Sequence, residues 1–262
     1  MNYGKLSYIL RYIEKHYIGV NLWNSELEES LVSTLIDGLR GNSFLQYINV
    51  SGEATQIPEV AANCMADCFM ARVNDKVIYL LVNDFTEYTW RNVEEFLDRN
   101  YFCRCQSIII DLRNNSGGNI EYANRLLSNL YSEAKMYYYI DRFFEKTYVS
   151  RVPQNQYMHF DKITILINQG TMSSAELIAL VLMQMENVKI IGSTSFGKAM
   201  ITRNIQFNDG SKLVCPVFVF YNLTGNTCNG TGIEPCIEMS DQDIDLLLST
   251  NLEALLHAPS SK

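Results

Sequence analysis

The stretch SIIIDLRNNSGG, residues 107–118, joins a predicted strand to a glycine turn and sets the pattern of the fold. Gln106 to Leu112 is a short apolar run, which is typical of a fully buried strand. Gly117 and Gly118 then form a turn into a helix whose apolar residues recur on one face. Those residues are Ile120, Ala123, Leu127 and Leu130. The stretch therefore predicts one strand–turn–helix unit.

Other parts of the chain repeat this pattern. Residues 76–82 predict a strand that is followed by a helix over 86–99, and residues 163–168 predict a strand that leads through a glycine turn into an apolar helix over 173–185. Residues 188–192 predict a further strand. Strands that alternate with helices indicate an α/β fold with a largely parallel sheet, and such sheets bind ligands at the carboxyl ends of their strands.

The segments on either side of these units have patterns of their own. Residues 3–41 predict two amphipathic helices, and residues 241–256 predict one closing helix. Residues 201–207 and 212–221 flank the sequence Asn-Asp-Gly-Ser at 208–211, which is a hairpin signal.

The composition excludes several classes of protein. The 262 residues are 47% hydrophobic, which is typical of a chain that folds around a large core. The formal net charge of −8 disfavours nucleic acid as a partner. Residues 1–19 mix charged with apolar residues, so we expect neither a signal peptide nor a membrane span there.

The cysteines and histidines indicate no metal site. Seven cysteines, an odd number without a predicted secretory signal, favour reduced thiols and a cytoplasmic location. The spacing of Cys64, Cys68, Cys103 and Cys105 is not that of a standard zinc module, and the three histidines form no metal-binding pair. We therefore expect neither a metal nor another cofactor.

Ser173 has two interpretations that the residues alone leave open. It begins a predicted helix and Glu176 follows three residues later, so it fits an ordinary N-cap in a capping box. Taken alone this capping interpretation is favoured, but the same placement makes Ser173 a candidate nucleophile, because a strand-to-helix turn presents unpaired backbone N–H groups that can stabilise an oxyanion. The glycine turn at 114–118 could supply further donors of this kind.

Two other motifs are weaker. Residues 192–198, GSTSFGK, resemble a phosphate-binding loop, but Ala199 stands where a magnesium-binding Ser or Thr is needed and the following residues alternate like a strand. Residues 132–135 have the S-x-x-K shape of penicillin-binding enzymes, but the later Lys-Thr-Gly sequence is missing. We interpret both as chance.

Five motifs together resemble a known family. In order along the chain they are SIIIDLRNNSGG, LINQGTMSSAELIALVL, IIGSTSFGK, NDGSKL and GTGIEP. Their order and spacing resemble those of the C-terminal processing (tail-specific) serine peptidases. The resemblance covers about residues 76–240, and more loosely the segment 16–41.

The resemblance implies specific roles. The family nucleophile falls on Ser173 and the family base on Lys198, twenty-five residues later, which together form a Ser-Lys dyad. It also implies an oxyanion hole from the N–H of Ser174 and that of Gly117 or Gly118. The implied fold is a crotonase/ClpP-like sheet core, and the implied partner is a peptide or protein substrate.

The sequence departs from the family pattern at one position of the site and in its domain organisation. Thr202 stands where the resembled family has a glutamine that helps to hold the lysine, so we expect a slow enzyme with an intact dyad. The alternative is that Thr202 simply suits a strand as a β-branched residue and that a neighbour positions the lysine. The family normally inserts a PDZ domain after its opening segment, but here about thirty residues separate Tyr47 from Val77, which is too few for a domain. We therefore expect an N-terminal helical segment over 1–56 and a peptidase core without a PDZ domain over 57–262.

The sequence leaves two alternatives to a serine endopeptidase. The chain could be a degenerate relative that binds peptides without cutting them, or an acyl-transforming enzyme of the crotonase-like fold, since fold alone never fixes function. Homo-oligomer formation also stays open.

An aromatic cluster between the second helix and third strand of the predicted core allows two interpretations. It fits core or subunit packing, and it fits an apolar wall for substrate side chains or a dimer surface. Its members are Tyr137, Tyr138, Tyr139, Phe143, Phe144, Tyr148, Tyr157 and Phe160.

Overall fold

The computed structural model describes most of the chain in seven segments. These are residues 3–16, 46–48, 68–72, 76–98, 105–152, 158–208 and 210–258. The strands are β1 (Gln46–Ile48), β2 (Cys68–Arg72), β3 (Val77–Val82), β4 (Ser107–Asp111), β5 (Lys135–Ile140), β6 (Lys146–Ser150), β7 (Lys162–Ile167), β8 (Val188–Gly192), β9 (Met200–Gln206), β10 (Lys212–Asn222) and β11 (Ile237–Glu238). The helices are α1 (Tyr3–His16), α2 (Glu87–Asp98), α3 (Ile120–Leu130), α4 (Ser174–Leu182), α5 (Asp241–Thr250) and α6 (Glu253–His257).

The chain forms two compact units. One contains Met1–Glu59, Tyr139–Thr147 and Met200–Phe220, and the other contains Val60–Tyr138, Tyr148–Ala199 and Tyr221–Lys262. Both residues of the predicted Ser-Lys dyad belong to the second unit.

The second unit is built on a six-stranded sheet with the order β11-β8-β7-β4-β3-β2. Every neighbouring pair from β3 to β11 is parallel, and β2 alone runs antiparallel to β3. The predicted α/β fold with a largely parallel sheet is therefore confirmed. All residues of the central strand β4 are buried, because a parallel sheet with crossover helices is covered on both faces.

The helices that follow β4 and β7 bury different amounts of their surface. Helix α3 is amphipathic and buries Ala123, Leu126, Leu127 and Leu130 on one side. Every residue of α4 is buried, which explains why its sequence is apolar on all sides. The N-terminus of α4 is thereby fixed within the core of this unit.

The first unit contains α1 and most of an antiparallel sheet. Ile9 and Ile13 of α1 form a buried cluster with Leu213, Cys215 and Val217 of β10. Within this unit β10 pairs antiparallel with both β1 and β9. The predicted hairpin at 208–211 joins β9 and β10.

Two predictions differ from the structure, and others lie outside the described residues. The single closing helix over 241–256 is wrong, because α5 ends at Thr250, the next residue Asn251 has a non-helical φ of −155° and ψ of 69°, and α6 begins at Glu253. The aromatic segment contains the strands β5 and β6, which the sequence did not predict. The second N-terminal helix and the cysteines Cys64 and Cys103 lie outside the described residues.

The residues of the aromatic cluster differ in burial and do not form one exposed surface. Tyr137, Tyr138 and Phe160 are buried, whereas Phe143 and Phe144 are exposed at the turn between β5 and β6. Among the described residues, no helix has the length and hydropathy to cross a bilayer, and no group of side chains is suited to hold a metal ion.

Asn168 connects three segments at the carboxyl end of the parallel sheet. Its Oδ1 accepts hydrogen bonds from the N–H groups of Asn114 and Gly170, each at 2.9 Å. Its Nδ2 donates to Oδ1 of Asn114 at 3.1 Å and to Oδ2 of Asp241 at 2.9 Å. Asn168 therefore ties the loop after β4 and the loop after β7 to the start of α5.

We predict that Asn168→Ala lowers the free energy of unfolding by about 1–3 kcal/mol, because it leaves buried N–H groups without an acceptor. Urea denaturation monitored by circular dichroism measures this change. The control is Gln169→Ala, which alters the exposed neighbouring amide and should stay within about 0.5 kcal/mol of the wild type. Equal stability of the two variants would contradict the proposed connection.

Candidate active site

The glycine turn after β4 lies directly against the start of α4. A Cβ added to Gly117 would come 2.7 Å from Cβ of Ser173 and 3.1 Å from N of Ser174. Gly117 also has a φ of +96°, which favours glycine. Only glycine fits at this position, and its small size brings the two loops together beside Ser173.

Ser173 has a backbone conformation that an ordinary N-cap does not have. Its φ is 58° and its ψ is −119°, whereas N-cap residues normally lie in the β region. A positive φ in a residue other than glycine costs about 1–3 kcal/mol and persists only where the surroundings impose it. The same strained turn from a strand into a helix exposes the nucleophilic serine in hydrolases of another fold. The conformation therefore favours the nucleophile interpretation over the simple capping box.

Glu176 holds the backbone of this turn from inside the protein. Its side chain is completely buried, and its Oε2 accepts hydrogen bonds from the N–H groups of Ser173 at 3.0 Å and Lys198 at 2.7 Å. Its Oε1 accepts from Oγ of Ser195 and from the N–H of Gly197, both at 2.6 Å. One carboxylate thus binds the backbones of the predicted nucleophile and the predicted base.

The three backbone N–H donors and the Ser195 hydroxyl favour an ionised carboxylate, because a carboxylate only accepts hydrogen bonds. Burial raises the pKa of Glu176, and the hydrogen bonds from Ser195, Gly197, Lys198 and Ser173 oppose that rise. The four donors therefore favour the charged form of a completely buried acid.

Lys198 lies in an environment that favours its neutral form. Burial lowers the pKa of Lys198, because the charged ammonium loses solvation, and the Glu176 carboxylate opposes this shift. A lysine with a lowered pKa can accept a proton closer to neutral pH than an ordinary lysine can. The structure therefore gives Lys198 the property that the predicted base needs.

The segment 228–233 supports the loop that carries Lys198. Its Gly230 donates to O of Gly197 at 2.8 Å, and the N–H of Ile233 donates to Oγ of Ser195 at 2.7 Å. Gly197, with a φ of +93°, leaves no space for a Cβ, which would lie 2.9 Å from N of Gly232. The segment 228–233 therefore fixes the position of the lysine loop through backbone N–H groups that donate to Gly197 and Ser195.

The hydrogen bonds of the backbone amides near Ser173 reduce the number of candidate donors for the predicted oxyanion hole. The N–H of Gly117 donates to Oδ1 of Asn115 at 2.8 Å, so it is already occupied. Neither the N–H of Gly118 nor that of Ser174 makes a hydrogen bond within the part of the chain that the structure describes. Of the two glycines predicted as donors, Gly118 therefore remains the candidate.

Two other predictions concern residues that follow β8 in the sequence. Thr202 lies on β9 opposite Pro216, in the first unit, so its role beside Lys198 stays a prediction. Residues 193–199 are followed by strand β9 rather than by a helix, which agrees with the rejection of a phosphate-binding loop.

Sequence reasoning missed two supporting residues, Asn115 and Ser195, and gave Glu176 only the role of a capping partner. Asn115 is completely buried and Ser195 nearly so. A polar residue inside a glycine-rich motif was the one signal in the sequence that could have identified them.

Comparison with known proteins gives a family match and several related peptidases. Residues 76–239 match Peptidase family S41. The carboxy-terminal processing protease CtpB of Bacillus subtilis is 24% identical over 170 residues, which are 63% of this chain and 34% of that protein. The chloroplastic carboxyl-terminal-processing peptidase 3 of Arabidopsis thaliana is 26% identical over 182 residues, which are 69% of this chain and 35% of that protein. The chain thus spans about a third of the length of these relatives.

Solved structures share the fold at lower sequence identity. A lipoprotein from Streptococcus agalactiae has a TM-score of 0.70 at 17% identity, and the similarity covers 95% of both chains. The photosystem II D1 C-terminal processing protease has a TM-score of 0.57 at 22% identity, over 71% of this chain and 47% of that one. Because the matched segment of 76–239 is more than half of the sequence and contains Ser173, Glu176 and Lys198, the chain belongs to Peptidase family S41.

Proposed function

We propose that the protein is a serine endopeptidase that hydrolyses peptide bonds with a Ser173–Lys198 dyad. The observation that carries the proposal is the double contact of Glu176, which binds the N–H groups of both residues and holds the strained Ser173 beside the start of α4. The lowered pKa of Lys198 supports its role as the base. We also propose a crotonase/ClpP-like core, since the loops that follow β4 and β7 both lie at the carboxyl ends of the parallel strands.

The proposed reaction has two steps. Neutral Lys198 accepts the proton of the Ser173 hydroxyl as Oγ bonds to the carbonyl carbon of the substrate, and the N–H groups of Ser174 and Gly118 stabilise the oxyanion. The C–N bond then breaks, the amine leaves with the proton from Lys198, and an acyl-enzyme remains. In the second step Lys198 accepts a proton from water as the water oxygen bonds to the ester carbon. The bond from that carbon to Ser173 Oγ then breaks, Lys198 returns the proton to Oγ, and the acid is released.

The family match over 76–239 lies inside the segment 57–262, which we propose as the peptidase core. We propose peptides or proteins as substrates, and a cytoplasmic location with reduced thiols. Consistent with inert thiols, burial raises the pKa of Cys215 to about 12.

We predict that a fluorophosphonate labels the wild-type protein at Ser173. The Ser173 oxygen forms the bond to phosphorus, fluoride leaves, and Lys198 accepts the proton. Ser173→Ala should prevent labelling and cleavage of casein, while the free energy of unfolding changes by less than about 2 kcal/mol. Peptide mass spectrometry locates the adduct and distinguishes Ser173 from Ser174. A folded wild-type protein that binds peptides but takes no label would instead support the peptide-binding alternative.

We predict that the labelling rate rises with pH through a midpoint below the ordinary lysine value of about 10.4, because the base must be neutral and burial lowers the pKa of Lys198. The rate constant of labelling between pH 6 and 10 measures this. Lys198→Met should label at a low rate without this rise. A pH-independent rate in the wild type would remove Lys198 from the mechanism.

We predict that Glu176→Gln slows labelling of Ser173 by about 10²-fold, because an amide can offer only one of its two ends as an acceptor and the backbones of Ser173 and Lys198 lose their common partner. Since the Glu176 carboxylate raises the pKa of Lys198, its removal should also move the pH–rate inflection to lower pH. The matched control is Glu186→Gln on the exposed surface, which should leave both quantities unchanged. An unchanged rate in Glu176→Gln would show that the double contact is dispensable.

A further inference from the structure

Ser174 has a side chain that the reaction described above does not use. The residue is 3% exposed, and its hydroxyl donates a hydrogen bond to the carbonyl oxygen of Gly118 at 2.9 Å. The N–H of the same residue is one of the two proposed oxyanion donors. Ser174 therefore contacts the opposite side of the oxyanion hole while it supplies a donor itself.

The direction of the Gly118 N–H depends on two adjacent peptide planes. The first plane contains O of Gly117, which accepts from N of Phe85 at 3.0 Å, and the N–H of Gly118. The second contains O of Gly118 and the N–H of Asn119, which donates to O of Phe85 at 2.8 Å. Gly118 lies between these planes with a φ of +142°, and glycine has no side chain to restrict its rotation.

Hydrogen bonds to Phe85 hold both planes from one side only. A Cβ on Gly118 would lie 2.6 Å from O of Phe85, so the Phe85 backbone packs tightly against the glycine. The Ser174 hydroxyl is the donor that reaches the second plane from α4, the element that carries the nucleophile. It therefore links the position of the Gly118 N–H to that of Ser173.

We propose that the Ser174 hydroxyl is a positioning group for the oxyanion hole. It acts through Gly118, and it aims the Gly118 N–H at the point where negative charge develops on the substrate. This inference rests on the proposed function, because it assumes that Ser173 forms an acyl or phosphonyl adduct. Removal of the hydroxyl leaves the Ser174 N–H in place and disturbs the second donor alone.

A purely structural role for the same hydrogen bond makes a different prediction. A buried serine that bonds a carbonyl also stabilises the fold, and its loss would change the free energy of unfolding without changing the rate of each folded molecule. Ser128 supplies the comparison, because its hydroxyl is completely buried and donates to O of Asn124 at 2.6 Å in α3. It takes no part in the proposed reaction.

The experiment measures fluorophosphonate labelling of the full chain as a function of reagent concentration, which separates the maximal rate of labelling from the apparent affinity. We expect Ser174→Ala to lower the maximal rate about tenfold, less than the 10²- to 10³-fold loss on removal of a whole oxyanion donor, with the apparent affinity within twofold of wild type. Ser128→Ala should keep the wild-type rate per folded molecule.

Ser174→Thr retains the hydroxyl and should label within threefold of wild type, which keeps the test valid even where Ser174→Ala folds poorly. The proposal is overturned if Ser174→Ala labels at the wild-type rate, or if Ser174→Thr loses as much as Ser174→Ala. A wild-type protein that takes no label at Ser173 would instead overturn the proposed function, so the two failures are distinguishable.

Discussion

The Glu176 carboxylate is completely buried and accepts hydrogen bonds from Ser173, Ser195, Gly197 and Lys198. A buried charge without partners costs several kcal/mol, so this carboxylate is stable only where all four donors converge on it. The requirement works in both directions. The donors keep the acid ionised, and the acid fixes the two loops that carry the proposed nucleophile and base. Hydrogen bonds to an ionised group are the strong ones, which suits a site that must hold its geometry within a fraction of an ångström.

The same carboxylate also sets an electrostatic balance at Lys198. Burial favours the neutral amine that a base requires, while the nearby negative charge favours the ammonium. The base thus operates between two opposed effects, and neither can be removed separately, because the contacts that fix the lysine backbone are the contacts that bring the charge near it. A more distant acid would leave the pKa of Lys198 lower still, but it would hold the lysine backbone less firmly.

The sequence predicted the parallel sheet well and the rest of the fold less well. The strands β3, β4, β7 and β8 are short runs rich in Ile, Leu and Val, and buried strands need little more than that. The hairpin of β5 and β6 was missed because Tyr137, Tyr138 and Tyr139 are consecutive aromatic residues that hide the alternation of a strand. At the site, Ser173 and Lys198 were predicted, but the role of Glu176 was not. Three of its four partners, Ser195, Gly197 and Lys198, lie about twenty residues away, and a local pattern carries no information about such contacts.

The two interpretations of Ser173 differ in conformation and not in sequence. A Ser followed three residues later by a Glu describes a capping box, and Glu176 does accept a hydrogen bond from the Ser173 N–H. The φ of 58° at Ser173 and the glycine at position 117 depend on each other, because Cβ of Ser173 occupies the space that a Cβ on residue 117 would need. The strained turn directs the serine side chain toward the glycine loop, and only a glycine leaves space for it there. A capping motif has thus become a means of holding a serine in a conformation that capping alone would not require, and the strain is sustained by the buried carboxylate beneath it.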